Sequence, residues 1–233
     1  RSGKTNRLVN YLQNPNFYQN KFDQVYIYSS TMSNGDDTAR FLYDEFGDTI
    51  YSEYSDEHLQ SIIDYQDSIP KEQRPRIALI FDDFIAFNNL KRNALMFKIA
   101  SSYRHHNIML LLYNTQQMKY FPPIVRACAN YVILSQNSNM KQVEQLAEEF
   151  GNIYGTDKFK DLFAQATNEP FGFLYLDLYG FTGNSNNPKA YKKFTDLMYE
   201  APISYNKKML SPNIKEKKKK KFSDVVLLVY YPD

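Results

Sequence analysis

Ile77-Ala78-Leu79-Ile80-Phe81-Asp82-Asp83 is an unbroken apolar run closed by two acids. A half-exposed strand would alternate apolar and polar residues. A short continuous run suits a strand buried on both faces of a parallel sheet. Ile108–Tyr113 has the same character and ends in Asn114-Thr115-Gln116, and Tyr131–Leu134 reads as a third such strand. Between them, Asn88–Tyr103 places Leu90, Ala94, Leu95, Phe97 and Ile99 at helical spacing, and Met140–Phe150 reads as another helix. Upstream, Val25–Ser29 is β-rich. Ser33-Asn34-Gly35-Asp36-Asp37 supplies turn and N-cap chemistry before a helix through about Phe46, Thr49–Tyr54 suits a short strand, and Asp56–Ile69 a helix. Phe171–Tyr179 reads as one more strand. Strands separated by helices predict an α/β fold with a mostly parallel sheet flanked by helices.

Composition narrows the function classes. The 233 residues are 43% hydrophobic and 23% charged, enough apolar content for a core. The longest apolar runs, Met109–Tyr113 and Val225–Tyr231, are far below the ~18 residues of a membrane helix. One cysteine, Cys128, excludes an internal disulfide, and with three histidines it cannot make a cysteine-rich zinc site. A soluble protein of a reducing compartment is the expectation. Cys128 reads as a small core residue, and the adjacent His105 and His106 as helix-end residues rather than a metal pair. The net charge of +2 hides an asymmetry, because six lysines fall within residues 215–221 and without that tail the balance turns slightly acidic. From about Asn184 the regularity fades into Asn, Pro and Lys. The expected organisation is therefore a domain over residues 1–183 and an appendage over 184–233, flexible beyond 211.

Arg1-Ser2-Gly3-Lys4-Thr5 matches the second half of a phosphate-binding loop, G-x-x-x-x-G-K-[ST]. The first glycine of that pattern falls before residue 1, so on this reading the first strand of the fold is missing from the chain, as in a fragment. Ser2 and Gly3 bring backbone to phosphate, Lys4 neutralises the β and γ oxygens, and the Thr5 hydroxyl ligates Mg²⁺. Asp82 and Asp83, at the end of an apolar strand, form the acid pair of a Walker B motif. Asp82 holds the metal through water, and Asp83 acts as general base on the attacking water. A chance tripeptide and a helix N-cap pair are the ordinary readings of the same residues; together the motifs point to ATP with Mg²⁺. Where an extra strand lies between the Walker A and Walker B strands, its end presents a polar sensor, the place of Gln116. Arg104 and Arg126 flank that region, and each could deliver a guanidinium across a subunit interface or be an ordinary surface residue.

In this order RSGKT, IALIFDDF, YRHHNIMLLLYNTQQ and FPPIVRACANYVIL resemble the genome-packaging ATPases of the FtsK–HerA superfamily, above all the poxvirus-type enzymes of large DNA viruses and virophages. The resemblance spans about Arg1–Leu134. It implies a P-loop NTPase fold of the RecA/ASCE type and a ring of like subunits that couples ATP hydrolysis to moving double-stranded DNA into a capsid at its vertex. By position it gives Lys4, Thr5, Asp82, Asp83 and Gln116 the Walker A, Walker B and sensor roles, and it places Arg104 as the arginine finger with Arg126 as second candidate. It also implies work in the host-cell cytoplasm or a viral factory, with association to the virion. Two other classes share the loop: a nucleoside or nucleotide kinase, which needs an arginine-bearing lid, and a catalytically silent relative.

Overall fold

The computed structural model describes residues 4–32, 37–83, 93–117, 121–182, 186–202 and 225–230. The chain divides into two compact units, Arg1–Ala129 with Asp224–Val229, and Asn130–Ser223 with Tyr230–Asp233.

In the first unit, α1 (Lys4–Gln13) precedes β1 (Gln24–Ser29), α2 (Arg40–Phe46), β2 (Ile50–Tyr51), α3 (Asp56–Ser68) and β3 (Ile77–Asp82). There follow α4 (Ala94–Ser102), a 3-10 turn at Tyr103–His106, β4 (Ile108–Thr115) and α5 (Pro123–Cys128). The strand order is β2-β1-β3-β4, every adjacent pair parallel. β3 is buried at all six positions, as its unbroken apolar run requires. The strand expected over Thr49–Tyr54 shrinks to two residues, because Gly47–Thr49 forms a 3-10 turn. The helix expected from Asn88 is observed as α4 from Ala94, where Asn93 caps it by accepting from the Met96 N–H at 2.9 Å; residues 84–92 lie outside the described residues. Beyond β4, on the side away from β3, lies β9 (Val225–Tyr230).

Strand alternation gives the sheet's carboxyl edge two different ladders. Tyr28, Phe81 and Tyr113 stand side by side in register, Tyr28 stacked on Phe81 (5.2 Å, 6°) and Phe81 on Tyr113 (5.1 Å, 12°). One position further along, Ser29, Asp82 and Asn114 form a polar row, which the period of two turns to the opposite face.

The second unit contains β5 (Tyr131–Ser135), α6 (Met140–Tyr154), α7 (Thr156–Ala166), β6 (Phe173–Asp177), β7 (Lys189–Lys192) and β8 (Asp196–Glu200). Its strands pair in chain order and all antiparallel. The expectation of a mostly parallel sheet therefore fits the first unit and not this one: β5 meets β6 in reverse, and the two strands expected to extend a parallel sheet begin a meander. β7 and β8 fall within the stretch that composition sets apart from Asn184.

Candidate functional site

The polar row at the carboxyl edge is a bonded network. Ser29 Oγ donates to Asp82 Oδ2 at 3.1 Å, and Asn114 Nδ2 donates to Asp82 Oδ1 at 2.8 Å. Ser29, Asp82 and Asn114 are 0%, 2% and 2% exposed. A buried carboxylate is costly unless both oxygens find donors, and here strands on either side supply one each. Ser29 Oγ also accepts from the Met32 N–H at 3.3 Å, which fixes the hydroxyl's direction. The second amide atom, Asn114 Oδ1, is buried and has no hydrogen-bond partner among the described residues. Leaving such an acceptor dry costs about 1–3 kcal/mol.

Asp83 follows directly, 9% exposed and at φ 54°, in the left-handed region. A single left-handed step turns the chain sharply off the strand, so the two adjacent acids leave the sheet edge on different courses. Carboxyl edges of parallel strands are where α/β folds place their ligands. Of the remaining candidates, Ser2 and Gly3 lie outside the described residues. Lys4 is the first residue of α1, and Thr5 is half-buried in its first turn. Leu12, in the last turn of α1, lines the same cleft as Val25 near the start of β1, so the far end of α1 sits at the sheet's amino edge. Gln116 is half-buried immediately past β4. Beside it the fully buried Thr115 hydroxyl turns back on Gln117, accepting its N–H at 3.2 Å.

Arg104 lies elsewhere. It is exposed in the 3-10 turn that enters β4, at the amino edge. Asp82 lies level with Asn114, six residues along β4 from Ile108, which separates it from that edge by about 20 Å. The turn is firmly held. Arg74 donates to the His105 carbonyl, His106 Nδ1 bonds Asp67 Oδ1 at 2.8 Å, and Asn107 Nδ2 donates to the Arg74 and Pro75 carbonyls at 2.7 and 3.0 Å. Ser102 Oγ lies 3.2 Å from His106 Nε2, the connectivity of a serine triad, yet it also bonds the Lys98 carbonyl at 2.6 Å within its own helix. His106 is thus a strut between α3 and the turn. Arg126 is half-buried in the last turn of α5. Cys128, expected in the core, is only partly buried; burial pushes its thiol up and the nearby Arg104 pulls it down.

The structure therefore groups Asp82, Asp83 and Gln116 at one edge and leaves Arg104 at the other. Sequence reasoning missed Ser29 and Asn114. Their signal is the register, in which each polar strand end falls beside Asp82. Among the described residues no cluster of three His, Cys, Asp or Glu could hold a metal ion, and no helix is long and apolar enough to cross a membrane.

A parallel four-strand sheet flanked by helices matches the fold of P-loop NTPase-like packaging ATPase structures. The chain is similar to B204, the DNA-packaging ATPase from Sulfolobus Turreted Icosahedral Virus, with a TM-score of 0.53 and 17% identity over 80% of this chain and 91% of that one. It is also similar to the genome packaging NTPase B204 from Sulfolobus turreted icosahedral virus 2 in complex with AMP (TM-score 0.52, 17% identity, 76% and 87% covered) and with sulfate (0.50, 17%, 82% and 90%). At this identity the likeness is one of fold. No family model and no curated protein matches the chain.

Proposed function

We propose that this chain is a viral genome-packaging ATPase of the FtsK–HerA, poxvirus-type group, driving double-stranded DNA into a capsid by ATP hydrolysis. The observation that carries the reading is the acid pair at the carboxyl edge of a fully buried central strand, Asp82 held by two neighbouring strands and Asp83 turned away by its left-handed backbone. The fold shared with B204, a protein solved in complex with AMP, supports it.

The residues suit a nucleotide with a hard divalent cation. Asp82 and Thr5 offer oxygen ligands of the kind Mg²⁺ takes, and the orphaned Asn114 Oδ1 is an acceptor suited to water beside them. Bound MgATP supplies the γ-phosphoryl group and the cation that neutralises its charge. Lys4 pairs with the phosphate oxygens, while Thr5 and Asp82 hold the metal. Asp83 orients a water for in-line attack and accepts its proton. Gln116 relays the state of the γ-phosphate from the end of β4. Arg104, at the opposite edge of the sheet and about 20 Å from its own acid pair, serves the site of a neighbouring subunit in a ring, with Arg126 at the same interface. The ring seats at a capsid vertex, in the host-cell cytoplasm or a viral factory and on the virion.

Phosphate release with and without linear double-stranded DNA tests the reading. DNA is expected to stimulate release, and Asp83→Asn to lower it by at least about 100-fold, the scale of general-base loss. Release indifferent to DNA, or surviving in Asp83→Asn, overturns it, and transfer to a nucleoside moves the chain to the kinases.

A further inference from the structure

We propose that Asn114 is a positioning residue of this site, clamping the Asp82 carboxylate with one amide atom and holding a cation-bound water with the other. The inference rests on the ATP-hydrolase reading. A carboxylate accepts hydrogen bonds and donates none, so the atom of Asn114 that faces Asp82 Oδ1 at 2.8 Å must be Nδ2. That fixes the amide against a flip and leaves Oδ1 on the other side, buried, without a partner among the described residues. A group 2% exposed has no bulk water to turn to, and with no partner among the described residues it is open to what the site takes up.

The chemistry of that partner follows from its surroundings. Asn114 Oδ1 needs an O–H or N–H donor and sits next to a carboxylate whose two oxygens already accept from Ser29 and Asn114. Each oxygen keeps further lone pairs, so Asp82 can still accept from a hydrated cation in the same place. A water polarised by a divalent ion is a strong donor and fits both acceptors, whereas a nucleotide phosphate offers only acceptors and fits neither. Ser29 has no such second function: its hydroxyl donates to Asp82 and accepts from the Met32 N–H and, at 3.5 Å, from the Thr31 hydroxyl, so its one hydrogen and both lone pairs are spent within the chain.

The two residues therefore separate clamping from water binding. Ser29→Ala removes one clamp. Asn114→Leu, of nearly the same size, removes a clamp and the water acceptor together. Mn²⁺ affinity is measured on the full chain with ADP by electron paramagnetic resonance, beside ADP affinity in EDTA, melting temperature and the kcat and KM of hydrolysis. Asn114→Leu is expected to weaken Mn²⁺ about tenfold or more, as loss of groups supporting a metal site does. It is expected to lower kcat at unchanged KM, to leave ADP affinity in EDTA unchanged, and to weaken Mn²⁺ more than Ser29→Ala does. A folded Asn114→Leu protein with the wild-type Mn²⁺ affinity overturns the inference, as does an effect no larger than that of Ser29→Ala. Wild-type protein that binds neither Mn²⁺ nor ADP overturns the hydrolase reading itself, which keeps the two failures apart.

Discussion

On the proposed reading, Asp83 serves chemistry and backbone at once. Its φ of 54° penalises most side chains, aspartate less than most and glycine not at all. Asp83→Ala and Asp83→Gly should therefore both lose hydrolysis, while differing in stability by about 1 kcal/mol in favour of glycine. Thermal melts of the two variants check this, and equal melting temperatures would remove the backbone argument. The acids were legible in the sequence because a strand end followed by two carboxylates is a local pattern. Ser29 and Asn114 were not, because an ordinary serine and asparagine become partners of Asp82 only once three parallel strands are set in register. The partial exposure of Cys128 was equally hidden, since it depends on tertiary packing.

Among the elements, the apolar strands were readable and the polar ones were not. β3 and β4 declare themselves through apolar runs that no amphipathic helix would carry. β2 was legible as a strand but not in its length, because Gly47–Thr49 turns where the strand was expected to start, and β7 and β8, with polar and charged positions interleaved, have no pattern strong enough to stand out. The amino edges of β1 and β3 are latched by Asp23, which accepts from the Arg76 N–H at 2.7 Å and pairs with its guanidinium at 2.8 Å. The Arg76 side-chain bond, then its backbone bond, hold the Asp23 carboxyl below the usual range, against a smaller opposing effect of burial. A depressed acid contributes stability above its unfolded pKa and loses it as pH falls through the folded value. Asp23→Asn should therefore cost stability at neutral pH and little at pH 2–3. Because the pair is largely exposed, the effect should stay within about 1 kcal/mol and shrink in salt. Urea melts at the two pH values check the sign.

At the scale of the whole molecule, the separation of Arg104 from Asp82 makes the assembly testable without a structure of it. If the finger works between subunits, an Asp83→Asn copy still carries a good arginine and an Arg104→Ala copy still carries good acids. Mixing the two inactive variants should restore part of the DNA-stimulated hydrolysis, measured as phosphate release against mixing ratio. No recovery at any ratio would place the arginine's role within its own chain. The fold of the first unit was foreseen at this scale, whereas the antiparallel meander of the second was not, because strand direction is set by which edge a returning chain meets and leaves little trace in composition.

β4 ends at Thr115 and its neighbour β9 begins at Val225, with most of the second unit, Asn130–Ser223, encoded between them. A ribosome therefore exposes β4 long before the strand that will cover it exists. During that interval the outer edge of an apolar strand is open to pairing with any extended segment nearby, including the same strand of another nascent copy. Closing so wide a span costs more chain entropy than any other pairing in the sheet, so the final step of folding should be the slow one. Yield in the cell would then be governed less by how stable the finished protein is than by how quickly synthesis delivers β9.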